Sequence, residues 1–176
     1  MSLLKVNSLQ DLGADAVVTD GVIVSSALPA GSLLQVVSTT KTDAFSLSAS
    51  GYQDVPGLSV SITPSSASSK ILILFHVVAG NSVTAGDVRV NLVRDSTNIA
   101  QGTTGTSVNS TTAVKTGVNY VPYTVSLSHL DSPASASSIT YKIQIAKSTG
   151  VATVNRRGDN AANGMVSSIT LMEVAG

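Results

Sequence analysis

The sequence contains no cysteine, which excludes disulfide staples and thiolate metal sites and leaves the redox compartment unread. Aromatic residues make up only 3%, with no tryptophan, so the stacking platforms that single-stranded nucleic acids need are missing. Charge is equally scarce. Charged residues are 11% of the chain, against roughly a quarter in ordinary globular domains. Ten basic and ten acidic side chains balance to a formal net charge of +0, so nothing concentrates a polyanion and nucleic-acid binding is not expected. Long apolar runs are absent too. The longest, residues 71–75, is far too short to span a bilayer, and residues 1–7 lack an apolar signal core. A soluble chain without export signal or membrane insertion is expected.

Chemistry-bearing clusters are also missing from the sequence. His76 lies in the most apolar segment, where a satisfied buried or interface imidazole is expected. His129 stands beside Asp131, which invites a Ser-His-Asp reading, but no Gly-x-Ser-x-Gly elbow is present and Asp131-Ser132-Pro133 reads better as a turn. Two distant histidines are too few for zinc. The carboxylates are scattered singly, with no spacing that suits glycoside hydrolysis or a calcium loop. The expectation is a non-enzyme with no cofactor and no metal.

What remains is material for β-structure. With 176 residues, 43% of them hydrophobic, the chain is sized for one domain with a real core. Serine, threonine, glycine and alanine fill the place of charge, and they suit strands and turns. Short alternating segments separated by turn clusters recur from Leu33 onward, a signature of sandwiches and barrels. Leu58, Val60 and Ile62 alternate with serines and a threonine; Val88, Val90 and Leu92 alternate next; Ile139, Tyr141, Ile143 and Ile145 form the third clean example. Further strands are expected at 33–37, 97–101, 120–130, 151–155 and 167–174, with 102–117 a loop. The fold class is all-β, an antiparallel sandwich of about eight or nine strands, jelly-roll-like, with an extended N-terminal arm.

Two segments stand out. Residues 1–30 carry Leu3, Leu4, Val6, Leu9, Val17, Val18, Val22 and Ile23 without a sustained period. A frayed terminus is the plain alternative, but these side chains need a surface to bury against. An assembly arm with a hinge is expected over 1–30, ahead of a sandwich domain over 31–176. Residues 70–79 are apolar on both faces, which fits a central strand or a contact with a partner. Ile71, Ile73, Phe75 and Val77 are thus candidates for core or interface.

Several strings in order carry a resemblance. They are Leu33-Leu34-Gln35-Val36-Val37-Ser38-Thr39-Thr40-Lys41-Thr42-Asp43, Gly57-Leu58-Ser59-Val60-Ser61-Ile62-Thr63-Pro64, Ser69-Lys70-Ile71-Leu72-Ile73, Leu92-Val93-Arg94-Asp95-Ser96, Leu130-Asp131-Ser132-Pro133 and Ile169-Thr170-Leu171-Met172-Glu173-Val174. The series resembles a β-rich domain of tail-fibre and other virion proteins of bacteriophages, including cyanophages, and the opening Met1-Ser2-Leu3-Leu4-Lys5-Val6-Asn7 is similar to the start of such fibres. The resemblance implies a structural protein of the virion, made in the host cytoplasm. Its partners would be copies of itself, as a homotrimer, and other virion proteins. In one placement the arm anchors to the tail or baseplate and the sandwich points outward as a short fibre. In the alternative, which gains weight from the absence of heptads, collagen repeats or a β-helical shaft, the sandwich decorates the major capsid protein; the resemblance favours the fibre. A carbohydrate-binding sandwich is the non-viral alternative, with Tyr52, Tyr120, Tyr123 or Tyr141 stacking on a host surface glycan. Arg157-Gly158-Asp159 and the sequon Asn109-Ser110-Thr111 are expected only to mark exposed turns.

Overall fold

The computed structural model describes residues 28–104, 109–117, 120–160 and 163–176, together with the backbone of three short N-terminal strands. These strands, β1 (Ser8–Gln10), β2 (Ala16–Thr19) and β3 (Val22–Ile23), form an antiparallel meander. Where it is described, the expected extended arm is therefore folded back on itself. Thr19 pairs with Val22 and Val18 with Ile23.

Two larger sheets build the body. One contains β4 (Leu33–Lys41), β5 (Phe45–Leu47), β7 (Lys70–Asn81), β11 (Tyr123–Asp131), β13 (Ala152–Val154) and β14 (Ser167–Val174). The other contains β6 (Gln53–Ile62), β8 (Asp87–Arg94), β9 (Thr97–Ile99), β10 (Thr112–Lys115) and β12 (Ile139–Lys147). Strand β10 falls inside the stretch expected as a loop. All pairings are antiparallel.

Three of these strands are interrupted pairs. β5 continues the line of β4, β10 that of β9, and β14 that of β13. The spatial orders become β4–β14–β7–β11 in the first sheet and β6–β12–β8–β9/β10 in the second. The chain switches sheets at every connection between these lines except the one from β8 to β9. That path is the eight-stranded double Greek key of a jelly roll. The expected fold class is thus the observed one.

Alternation places the core. Leu58 and Ile62 of β6, Val88, Val90 and Leu92 of β8, and Ile139, Tyr141, Ile143 and Ile145 of β12 all point between the sheets and are buried. From the facing sheet come Ile71, Ile73, Phe75, Val77 and Ala79 of β7, with Ile169 and Leu171 of β14. Period-two patterning of this kind fixes which face each strand buries.

Polar groups buried among these apolar ones hold the ends in place. At the end where the N-terminal segment joins, Asp131 takes two 2.9 Å bonds from Arg94 and a 2.7 Å bond from the Tyr141 hydroxyl, tying β11 to β8 and β12 across the sandwich. Burial first, and then the Asp131 carboxylate, push the Tyr141 phenol far above its ordinary value. Glu173, fully buried, accepts from the Ser65 amide at 2.7 Å and from the Ser65 hydroxyl and Gln35 amide at 2.6 Å. At the opposite end the Asn81 side chain donates to the Thr149 carbonyl at 3.0 Å and accepts from the Val83 amide at 3.1 Å. Gly86 and Gly150 face it with no room for a Cβ, and Gly150 adopts φ +67.

Burial pushes the Glu173 carboxyl upward, but its hydrogen bonds from Ser65 and Gln35 outweigh this and hold it below the usual glutamate range. A folded value below the unfolded one, about 4.3, adds stability above that pH, and the gain is lost as pH falls through the folded value. Glu173→Gln keeps an acceptor but turns an amide toward the Gln35 donor. We expect it to lower stability at pH 7 by about 1–2 kcal/mol and to flatten the loss of stability in acid. Urea titrations of both proteins between pH 3 and 7 read both effects.

Candidate assembly surface

The outer face of the β4–β14–β7–β11 sheet is formed by the residues that alternate with its core set. Register aligns them in rows across the strands. Met172 lies beside Val36 on one side and Leu72 on the other, and Leu72 lies beside Leu130. This single row of four large apolar side chains crosses the sheet from edge to edge. Leu74 extends it by one position along β7, beside Thr170 and Ser128. Val36 is 51%, Leu130 49% and Leu74 37% exposed. The rows beyond are hydroxyl-bearing: Ser38, Thr40, Ser126 and Ser168 among them. Between Lys70 at one rim and Val78 near the other, the outward positions hold no Asp, Glu, Lys or Arg.

The opposite outer face differs in kind. Lys142 donates to Asp54 at 2.8 Å and Gln144 to the same carboxylate at 2.7 Å. The Lys142 ammonium, followed by the Gln144 amide, holds the Asp54 carboxyl below its ordinary value. Outward-pointing Asn91 is buried beneath Gln101 and Thr111, both of which donate to its carbonyl oxygen. One face is charged and partly covered. The other is neutral and bare.

Beside the bare face the chain makes a closed excursion. β13 and β14 lie along the same edge of β7, and residues 155–166 leave the sheet between them. Asn155, at φ 60, donates to the Lys41 carbonyl at 2.8 Å and the Asp43 carbonyl at 3.2 Å, and accepts from the Ser167 hydroxyl at 2.6 Å. Met165 donates to the Asn155 carbonyl at 3.1 Å, which draws the neck shut. His76, on the outer face, bonds Ser168 at 3.1 Å and the Val166 carbonyl at 3.2 Å, linking the returning strand to the sheet. Inside the excursion Arg157 and Asp159 bond each other at 3.0 and 3.1 Å. Gly158 donates to Tyr120 and has no space for a Cβ against the Asn81 carbonyl. Arg157-Gly158-Asp159 is thus a locked turn.

The residues singled out in the sequence fall as follows. Ile71, Ile73, Phe75 and Val77 are at most 4% exposed and belong to the core. An interface role for these four is corrected, because strand parity turns Leu72, Leu74, His76 and Val78 outward instead. Leu9, Val17, Val18, Val22 and Ile23 lie on β1, β2 and β3, while Leu3, Leu4 and Val6 lie outside the described residues. His129 does not share the Asp131 carboxylate, which Arg94 and Tyr141 occupy. Tyr141 is fully buried and unavailable to a sugar, and the Tyr52 hydroxyl is tied to the Asn109 carbonyl at 3.1 Å. Among the described residues no three His, Asp or Glu side chains gather to hold a metal. A cavity of about 410 Å³ lies where the N-terminal segment joins the body, walled by Leu28, Leu34, Ser65, Ser66 and the last two residues, Ala175 and Gly176. No titratable side chain lines it.

Fold and surface together define a jelly-roll module distinguished by a neutral outer face. No protein-family model matches the chain, and no curated protein is similar to it in sequence. Among solved structures it is similar to the VP2 subviral particle of infectious bursal disease virus, with 18% identity, a TM-score of 0.40, and coverage of 80% of this chain and 41% of that one. Structures of the Gt and Gx strains of the same virus align with 98% of the chain at 12% and 13% identity and TM-scores of 0.46 and 0.43. The chain spans 47% of each of those two, less than half. At such identities and TM-scores the likeness carries no functional inference.

The neck of the excursion is directly testable. Asn155→Ala removes three hydrogen bonds and places alanine at a left-handed φ that asparagine tolerates better. We expect a loss of about 2–3 kcal/mol and faster trypsin cleavage after Arg156 and Arg157, with the remaining cleavage sites unchanged. Peptide mapping of timed digests reads both.

Proposed function

We propose that the chain is a non-enzymatic structural component of a bacteriophage particle: a short fibre of the tail or baseplate, homotrimeric, with its N-terminal segment held by another virion protein and its jelly roll as the head. The observation that carries this reading is the polarity of the sandwich. β4 begins and β14 ends at the same end, where Gly31 and Ser32 exchange backbone bonds with Ala175. The N-terminal segment therefore joins the body at one end. The turns at 82–86 and 148–151 lie at the other, together with residues 116–117 and 120–122, where Asn81 ends β7 and Tyr123 pairs with Ala79. A body attached at one end and presenting loops at the other suits an anchored head. The ordered strings that resemble those of phage virion domains support the phage assignment.

The capsid-decoration reading has one observation in its favour: a bare, uncharged sheet face on the flank suits lying against a large protein surface. Of the tyrosines weighed for glycans, Tyr120 and Tyr123 stand at the loop-bearing end, where a host surface would be met.

β1, β2 and β3 pair only with one another, so the sandwich owes them no strand. Deleting residues 1–25 should leave the melting temperature of the body within a few degrees of the full chain and abolish incorporation into particles. Truncated protein that still co-purifies with virions would overturn the anchoring role. Antibody labelling of intact particles separates the placements: label on the tail agrees with the fibre, whereas label over the capsid surface rejects it for decoration.

A further inference from the structure

We infer that the outer face of the β4–β14–β7–β11 sheet is the contact between copies of this chain, standing side by side with their strands running in the same direction. The inference deepens the anchored-oligomer reading and rests on it for the common direction of the copies. The face itself argues for a second copy as the occupant. Its outward positions between Lys70 and Val78 carry no charged side chain, so it neither selects a partner of one sign nor repels its own likeness. Two such faces meet without stripping water from any ion, a step that is costly when charges are buried. The opposite face, with Lys142, Asp54 and Arg89 outward, offers no such match.

Register sets the geometry of the contact. The row of Val36, Met172, Leu72 and Leu130 runs across the strands, so it occupies one level along the strand direction. Copies related by an axis along the strands hold their rows at the same level, and the rows meet as an apolar belt around that axis. The same operation puts every N-terminal segment at one end, as common anchoring requires. An axis in the plane of the contact but running across the strands would also bring the faces together, and would send the N-terminal segments to opposite ends. Four strands about 4.8 Å apart, over the length of residues 70–78 at about 3.3 Å each, outline roughly 570 Å² per copy. Two facing copies bury roughly 1,100 Å², which just clears the size of a specific interface. The pairing is therefore expected to be reversible and concentration-dependent when the arms are not held.

Sedimentation equilibrium of the full chain tests this. Wild type should associate across the micromolar range. Val36→Asp combined with Leu130→Asp, both at exposed positions, should weaken association at least tenfold without lowering the melting temperature, and Ser59→Asp on the opposite face should leave it unchanged. Because the chain has no cysteine, Met172→Cys supplies an independent readout: sheets packed face to face lie about 10 Å apart, within reach of a short bismaleimide, which should trap covalent dimers of it and not of Lys142→Cys. A wild type that stays monomeric overturns the inference, as does an oligomer that survives the aspartates or one trapped through position 142. A monomer that still enters particles rejects the face and leaves the virion role standing. An oligomer that dissociates as expected but is absent from particles rejects the virion role and leaves the face.

Discussion

Strand β7 is paired along nearly its whole length on both sides, with β11 against one edge and β14 then β13 against the other. The sheet that bears the contact face depends on that double pairing, because β7 sets the register of three other strands at once. Its own register is not fixed by hydrophobicity. Inward Ile71, Ile73, Phe75 and Val77 alternate with outward Leu72, Leu74, His76 and Val78, so a slip by one residue would still bury three large apolar side chains, with His76 the one polar group turned into the core. The polar end of the strand removes that ambiguity. Asn81 fits a socket closed by Gly86 and Gly150 and bonded to Val83 and Thr149; a slipped strand would strand its amide among apolar atoms.

The same device recurs at the other ends. Asp131 pins the close of β11 through Arg94 and Tyr141, and Glu173 pins the close of β14 through Ser65 and Gln35. Each of these groups leaves a buried donor or acceptor unmatched if its strand shifts. Apolar area drives the two sheets together, while a few buried polar side chains choose one alignment among several that area alone would accept. A chain so poor in charge has few other means of choosing.

This division explains what was legible in the sequence. Strands β6, β8 and β12 announced themselves by alternation, and their inward residues are those the pattern selected; β14 was legible as a strand, but Met172 in it turns outward. β7 was legible as an element that is apolar on both faces; Lys70 and His76 on its even-numbered side are the local sign of which face turns outward, too weak against Leu72, Leu74 and Val78 on the same side to decide it. That is settled by pairing with distant strands. β10 was not legible, since Thr112–Lys115 is short and set among glycine, serine and threonine, and it is held by β8 on one side. In the N-terminal segment β1, β2 and β3 were not legible, since each is two to four residues long and no sustained period runs through them. The row of Val36, Leu72, Leu130 and Met172 had no sequence signature at all. Its members come from four strands far apart in the chain, and only register brings them into line.

The closed neck at Asn155 and Ser167 separates the sheet from whatever the chain does beyond it. Both strands that flank the excursion are fixed before it begins and after it ends, so their alignment asks nothing of its length. Enlarging such a loop costs only about 0.6 kcal/mol per doubling. The sheet is consequently insulated: a change of sequence beyond the neck need not reach the jelly roll beneath it.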